Sequence, residues 1–433
     1  MRFLGIGDYN SLGDMHWRLG EAGHEVRVHV REAEAHELYA GMLQRVDDWP
    51  SQLDWIRRAG DEGIVLFESA SMGDTADALR RDGFHVVGGS AWGDRIERDR
   101  AFGQQVMREA GMQTAPTHAF RDYDAALDFL RTRPGRYVFK LSDGVSASTR
   151  NYVGEMDDGS DVIALIEAER RARTQAGEVD FVLMERLSGI EVGIGAYFDG
   201  EKFLQPACID WEHKRFFPGD IGELTGEMGT VVSYRGSQRL FDLTLAKIAP
   251  GLRAARHHGY VNINTIVNAS GVWPLEFTSR FGYPGFAICD ALHAEGWDQI
   301  LAKMALGGSR TIETRSGFAV GVVITVPPFP YEYGYAELSK GEPILFREPL
   351  DAIERSHLHY GEVAMSGAQL VTSGSLGYVM VATGTGDDIA DAQAAAYRRV
   401  RNVVVRNMRY RNDIGDKLRR EDLAALTALG YYA

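Results

Sequence analysis

The sequence predicts an α/β protein of several domains, and three features carry that reading. The chain opens as strand, glycine turn, helix and strand. A strongly alternating hairpin occupies residues 261–278, and the last third is rich in short alternating strands. Its 433 residues exceed what one core organises and suggest about two to four domains. The divisions expected are 1–100, 101–315 with a lid at about 120–190, and a smaller α+β unit at 316–433.

In the first domain, an apolar strand over 1–6 leads through the glycine turn at Gly7–Gly13 into a helix over 14–22, stopped by Gly23. Strands follow over 25–30, 63–67 and 85–87, which makes a Rossmann-like half. The glycines do not spell GxGxxG and no acid closes the second strand before Glu32, so a nicotinamide site is not expected. An amphipathic helix is predicted over 98–110, ended by Gly111. Further strands are predicted over 137–144, 181–187, 318–326 and 378–383, with a long helix over 387–408. The glycine-rich polar stretch at 210–229 reads as one long loop, a length that usually serves a site.

Bulk chemistry narrows the function. Hydrophobic residues at 45% and charged residues at 25% are those of a soluble globular protein rather than a disordered one. A net charge of −14 argues against binding nucleic-acid backbones. The absence of an apolar run of roughly 18 residues argues against a membrane span. No secretory leader is expected, and two cysteines, Cys208 and Cys289, without metal-ligand spacing fit a reducing cytoplasm.

The hairpin holds the sharpest signal. Runs at 261–267 and 272–278 flank the turn residues Asn268-Ala269-Ser270-Gly271. Alternation puts Glu276 and Thr278 on one face, and a three-residue turn would set Asn264 opposite Glu276. An amide, a carboxylate and a hydroxyl are hard oxygen ligands suited to Mg²⁺ (for which Mn²⁺ can substitute), with Arg280 near enough to neutralise phosphate. On the residues alone, a polar face turned to solvent is the competing reading.

The stretch Leu275–Pro284, LEFTSRFGYP, resembles the LEFNxRFGDPE signature of the phosphoribosylamine–glycine ligase family, ATP-grasp enzymes. The resemblance runs in order along nearly the whole chain. It implies an ATP-grasp fold with an N-terminal Rossmann-like domain and a small β-rich C-terminal domain. It implies ATP and Mg²⁺ as cofactors, with Asn264, Glu276 and Thr278 as metal ligands. Small-molecule partners are implied, an amino acid such as glycine and an amine, acting on a monomer or small homo-oligomer.

Residue by residue, Arg100 stands where the family has a nucleotide-contacting lysine. Lys140 ends a strand like the family's VxKADGLAAGKGV, the second lysine being replaced within 147–150. Phe181–Glu191 resembles the hinge EEFLxGxE, so the backbone of Glu185, Arg186 and Leu187 would bond adenine and Glu191 the ribose. The segment from Asp210 resembles DHKRxxxxDxGPNTGGMG, with two residues inserted after Asp210 and a family glycine replaced by Glu227. Asp210, His213, Lys214, Arg215, Asp220, Thr225, Gly226 and Arg280 would line the substrate pocket, with Lys140, Lys214 and Arg280 catalytic. Arg411-Asn412-Asp413-Ile414-Gly415 resembles a closing YRxDIG.

Three departures bear on the substrate. The family's GGREH, used near phosphoribosylamine, is absent from Gly7–Gly13, where Asp8 and Asp14 make the helix start less welcoming to phosphate. In the metal hairpin the family's Asn is Thr278, and its Asp and Glu after RFG are Tyr283 and Gly285. The implied activity is an ATP-dependent carboxylate–amine ligase acting through an acyl phosphate on glycine or a similar amino acid, with either phosphoribosylamine or a different amine as acceptor, the altered Gly7–Gly13 loop favouring a different one. A genuine phosphoribosylamine–glycine ligase and a non-catalytic nucleotide-binding protein are the alternatives.

Overall fold

The computed structural model describes residues 1–141, 151–172 and 180–432. Five parallel strands form the first sheet, in the spatial order Gln44–Arg45, Glu25–Val30, Arg2–Gly7, Gly63–Phe67 and His85–Val87. The helix Gly13–Glu21 follows the glycine turn as expected. Its Asp14 is turned into the protein interior. The carboxylate is buried, with Arg18 Nε at 2.6 Å and His359 Nδ1 at 2.8 Å, and it accepts the Tyr360 backbone N–H at 2.9 Å. Asp14 thereby fastens the N-terminal sheet to the C-terminal strand Leu358–Tyr360.

Burial alone would raise the Asp14 carboxyl, but Arg18 and His359 outweigh it and hold the value down to about 2. A folded value below the unfolded one means stability that is present above about pH 4 and lost as pH falls toward 2. Asp14→Asn should therefore destabilise the fold by on the order of 3 kcal/mol near neutrality. Thermal melts of the two proteins should differ by a constant amount above about pH 4 and converge below it. A difference that did not shrink on acidification would remove the charge-pair explanation.

A second, antiparallel sheet of four strands lies in the stretch expected as a lid (hereafter the lid), in the order Thr117–Phe120, Phe181–Glu185, Tyr137–Leu141 and Tyr152–Val153. Alternation along Tyr137–Leu141 buries Tyr137, Phe139 and Leu141 in the lid's own core. Lys140 is left on the opposite face. The segment 142–150, read as a loop over the phosphates, lies outside the described residues.

The largest sheet has eight antiparallel strands. Their order is Gly271–Thr278, His258–Asn268, Ile190–Asp199, Cys208–Glu212, Gly229–Ser233, Phe318–Thr325, Tyr378–Gly386 and Leu358–Tyr360. One sheet thus joins the hairpin of His258–Asn268 and Gly271–Thr278 to strands on the far side of the division expected at 315/316. One face supplies Val192, Ile194, Trp211, Ile263 and Phe277 to the main core. The other carries the polar residues of the candidate site.

The helix expected over 98–110 is present as Arg100–Glu109, and a separate helix that the sequence reading did not include, Ala91–Arg98, precedes it; extended Asp99 divides the two, and its side chain caps the second by accepting from Phe102 N–H at 2.9 Å. Two sequence expectations are corrected. The stretch at 210–229 is not one loop but holds the strand Cys208–Glu212 and a small hairpin, Arg215–Phe217 with Ile221–Leu224. The long C-terminal helix ends early, spanning Ile389–Asn402, and the strand Val403–Val404 follows.

Candidate active site

The hairpin pairs Asn264 with Glu276 and Asn262 with Thr278, the predicted register reached by a different route. Asn268 pairs with Gly271, so the turn holds two residues rather than three. A bulge at Leu275, where Asn264 pairs Glu276 and Thr265 pairs Pro274, restores the register. The bulge frees the Leu275 carbonyl, which accepts the Gln104 amide at 2.6 Å. Gln104 lies one helical turn beyond Arg100, on the same face of Arg100–Glu109, and Arg100 Nη1 reaches Glu276 Oε2 at 2.5 Å. The break at Asp99 therefore aims a helix start at the metal hairpin.

Lys140 comes to the same carboxylate from the lid, its Nζ 3.1 Å from Glu276 Oε2. Lys214, from the floor of the sheet, is bonded to Glu191 Oε1 at 2.7 Å and lies 3.1 Å from Glu212 Oε2. Asn264 Nδ2 donates to the same Glu212 oxygen at 3.2 Å. Three cations and three carboxylates thus interlock where lid, helix and main sheet meet. Lys140 above all, helped by Arg100 and Lys214 against the cost of burial, holds the Glu276 carboxyl well below its usual range. Burial pushes the Lys140 ammonium down, and Arg100 and Lys214 push the same way against Glu276. Burial works against charge on Lys214 too, but Glu191, Glu212 and Glu276 outweigh it and keep that ammonium firmly protonated.

The predicted site residues separate into two groups. Lys140, Arg100, Glu276, Asn264, Lys214 and Glu191 come together. Thr278 is one pair further along, opposite Asn262. In the hinge, the N–H groups of Glu185 and Arg186 donate to the carbonyls of Pro116 and Arg136, and the Arg186 side chain bonds Gly154 O at 2.8 Å. Leu187 follows the end of that strand. Arg280 is turned away, its Nε 2.9 Å from Glu97 Oε1 on the helix Ala91–Arg98. His213 uses both ring nitrogens on the backbone, near Gly229 O at 3.3 Å and accepting Gly415 N–H at 3.1 Å. Arg215 Nη1 holds Gly222 O at 2.6 Å, and Thr225 Oγ1 donates to Lys214 O at 2.8 Å. Gly226 lies against the Tyr378 hydroxyl, 3.2 Å from where a side chain would begin.

Two contributions escaped the sequence. Glu212 meets both Lys214 and Asn264, and its signal was its place directly before His213-Lys214-Arg215 on the face that also bears Asp210. Arg411, fully buried, donates to Asp413, to Asp220 Oδ1 at 2.8 Å and to Arg215 O at 3.0 Å. Asp413 in turn accepts Gly219 N–H at 2.9 Å. The closing motif therefore staples down the hairpin that follows Lys214.

The row across the sheet runs Glu276, Asn264, Gly193, Asp210. A side chain at Gly193 would start 2.1 Å from Asp210 Oδ1, so the glycine makes room for that carboxylate. Among the described residues no group of three or more acids, histidines or cysteines is arranged to hold a metal ion. A divalent ion here would use the Glu276 carboxylate and the Asn264 amide oxygen, and draw its remaining ligands from phosphate and water, a set that fits Mg²⁺.

The ATP-grasp (A) domain of phosphoribosylglycinamide synthetase, as a family model, matches residues 98–286, and the C domain of the same enzyme matches residues 319–417. The chain belongs to the phosphoribosylglycinamide synthetase family. It is 27% identical over 436 residues to a phosphoribosylamine–glycine ligase of Neisseria meningitidis serogroup B, covering 96% of this chain and 99% of that protein. A Streptomyces coelicolor protein of the same name is 29% identical over 380 residues, 83% of this chain and 85% of that one. Among solved structures, phosphoribosylamine–glycine ligase from Thermotoga maritima superposes with a TM-score of 0.71 at 22% identity, covering 96% of this chain and 100% of that one. A Campylobacter jejuni biotin carboxylase gives 0.67 at 12% identity, covering 98% of each chain, a likeness of fold alone. As a phosphoribosylglycinamide synthetase family member the protein is an ATP-grasp ligase, an enzyme forming ADP and phosphate.

One feature of the N-terminal turn bears on the acceptor. The buried Glu68 carboxylate accepts the backbone N–H of Tyr9 at 2.8 Å and that of Leu12 at 3.4 Å, at the start of the helix Gly13–Glu21. Burial pushes its carboxyl up against those bonds. Donors that would suit an outside anion are engaged from within the chain.

Proposed function

We propose that the protein joins the carboxylate of an amino acid such as glycine to an amine, at the expense of ATP, in the cytoplasm. A carboxylate oxygen attacks the γ-phosphorus, the bond to the β-phosphate oxygen breaks, and ADP leaves. The amine nitrogen then attacks the acyl carbon of the acyl phosphate, phosphate departs and the nitrogen gives up a proton. The first step needs no base from the protein, because the carboxylate is already ionised near neutral pH. Mg²⁺, held by Glu276 and Asn264, would supply positive charge to neutralise the phosphates. Lys140 and Arg100 reach the transferring phosphate from the lid and the helix, and Lys214 serves the acyl side; positioning and charge neutralisation supply the rate.

The observation that carries this reading is the meeting of Lys140, Arg100 and Lys214 with Glu276, Glu212 and Glu191 at the junction of lid and sheet. Nearly full-length relatives named phosphoribosylamine–glycine ligase make phosphoribosylamine the acceptor to test first. The engagement of the Tyr9 and Leu12 N–H groups by Glu68 supports a different amine. Phosphate release from Mg-ATP and glycine, with and without phosphoribosylamine and then across other amines, separates these readings. ATP binding without release under any condition would instead mark a non-catalytic protein.

Lys140→Ala should chiefly weaken nucleotide binding, raising KM for ATP by about 10- to 100-fold, because a hydrogen bond between charged groups contributes about 1.5–3 kcal/mol. Titration with a fluorescent ATP analogue would measure it. An unchanged affinity would remove Lys140 from the nucleotide site.

A further inference from the structure

Asp210 and Glu227 stand apart from the charge network described above. They are 5% and 6% exposed, and Asp210 Oδ1 and Glu227 Oε1 are buried without a hydrogen-bond partner among the described residues. The other Asp210 oxygen accepts only the neutral Asn262 amide, at 2.7 Å. The nearest ammonium, Lys214, is bonded to Glu191 and Glu212 instead. A buried carboxyl oxygen without a donor costs on the order of 1–3 kcal/mol, more when ionised, and burial first, then the nearby Glu212 and Asp210, push the Glu227 carboxyl up, so the two acids call for a donor from outside the chain.

The walls around Glu227 are aromatic. The Tyr378 hydroxyl bonds the Glu227 backbone, the Tyr283 ring lies 5.3 Å from that of Tyr378, and Phe329 packs at a tilt against Tyr378 with ring centroids 4.6 Å apart. The Tyr283 hydroxyl is itself buried and unpartnered. A carboxylate beside tyrosine rings, as Glu227 is beside Tyr283 and Tyr378, suits a cation, because both the charge and the ring quadrupoles favour an ammonium. The same surroundings offer a phosphate no free cation among the described residues, since Lys214 is held by Glu191 and Glu212, and the helix start that could hold one is engaged by Glu68.

We infer that Asp210 and Glu227, walled by Tyr283 and Tyr378, form an ammonium subsite that selects a phosphate-free, net-cationic amine as the acceptor of the ligase reaction. The inference rests on the ligase reading above and names its substrate class. One amino group of such an acceptor is held by the two carboxylates, while a second attacks the acyl phosphate.

The test is calorimetric titration of the protein, loaded with Mg²⁺ and a non-hydrolysable ATP analogue, with diamines of two to five carbons, butylamine and phosphoethanolamine. At least one diamine should bind about tenfold or more tightly than butylamine or phosphoethanolamine. Glu227→Gln and Asp210→Asn should each weaken that binding by about tenfold or more while nucleotide affinity stays within about twofold, which also reports that the variants are folded. No preference for a diamine, or a preference that survives both variants, overturns the subsite. Parallel phosphate-release assays keep the two readings apart. Diamine binding with no phosphate release under any condition leaves the subsite standing and removes the ligase reading. Release that requires phosphoribosylamine, with no diamine bound, does the reverse.

Discussion

Glu276→Ala is expected to abolish Mg-ATP turnover, with kcat falling by about 10³-fold or more. The estimate follows from the loss of several kcal/mol of charge stabilisation at the phosphates, each 1.4 kcal/mol being worth about tenfold. Glu276 is where Arg100 and Lys140 converge, and it is paired across the hairpin with Asn264. Its removal leaves those two cations without their shared carboxylate. Affinity for metal-free ATP should therefore hold or rise even as turnover is lost, a split that misfolding would not produce. Glu276→Gln should behave in the same way, since an amide keeps the volume and loses the charge. A coupled ADP-release assay beside nucleotide titration reads both quantities, and a rate within about threefold of the parent would dismiss Glu276 as the metal-binding carboxylate.

Arg411→Ala should be the most damaging single change to stability. The guanidinium is buried and is bonded to Asp413, Asp220 and the Arg215 carbonyl. Stripping one member from such an arrangement costs about 3–5 kcal/mol, with the lower end expected here because Asp220 is half exposed. Lysine should rescue little, since a single ammonium cannot make the forked contact with Asp413 while also reaching Asp220. Urea unfolding would give the loss, and limited proteolysis within 213–229 should accelerate in the variant. Undisturbed proteolysis would mean that the closing motif does not hold that hairpin.

The sequence was legible where periodicity and local chemistry agree. The parallel strands, the lid strand ending near Lys140 and the Asn264–Glu276 pairing were all readable from alternation and turn residues. The pairing was reached by a compensating error, because a two-residue turn plus a bulge at Leu275 gives the same register as a three-residue turn without one. Bulges are hard to read from composition, since any residue can occupy them. The break at Asp99 was readable in principle as an N-cap, yet the amphipathic pattern ran through it. Glu212, the inward turn of Asp14 and the grip of Arg411 were hidden for another reason. Each depends on a partner tens to hundreds of residues away, and one chain shows no such pairing.

The salt bridge between Lys140 and Glu276 has a thermodynamic corollary. Each side chain is the other's counterion in the free enzyme, so neither is spare. A nucleotide that recruited both Lys140 and Arg100 to its phosphates would release Glu276 for a divalent ion, and an ion that engaged Glu276 would release both cations for phosphate. Each ligand removes an obstacle to the other, and linkage makes the benefit mutual and equal in size. Nucleotide and metal should then load as one unit, each binding poorly alone.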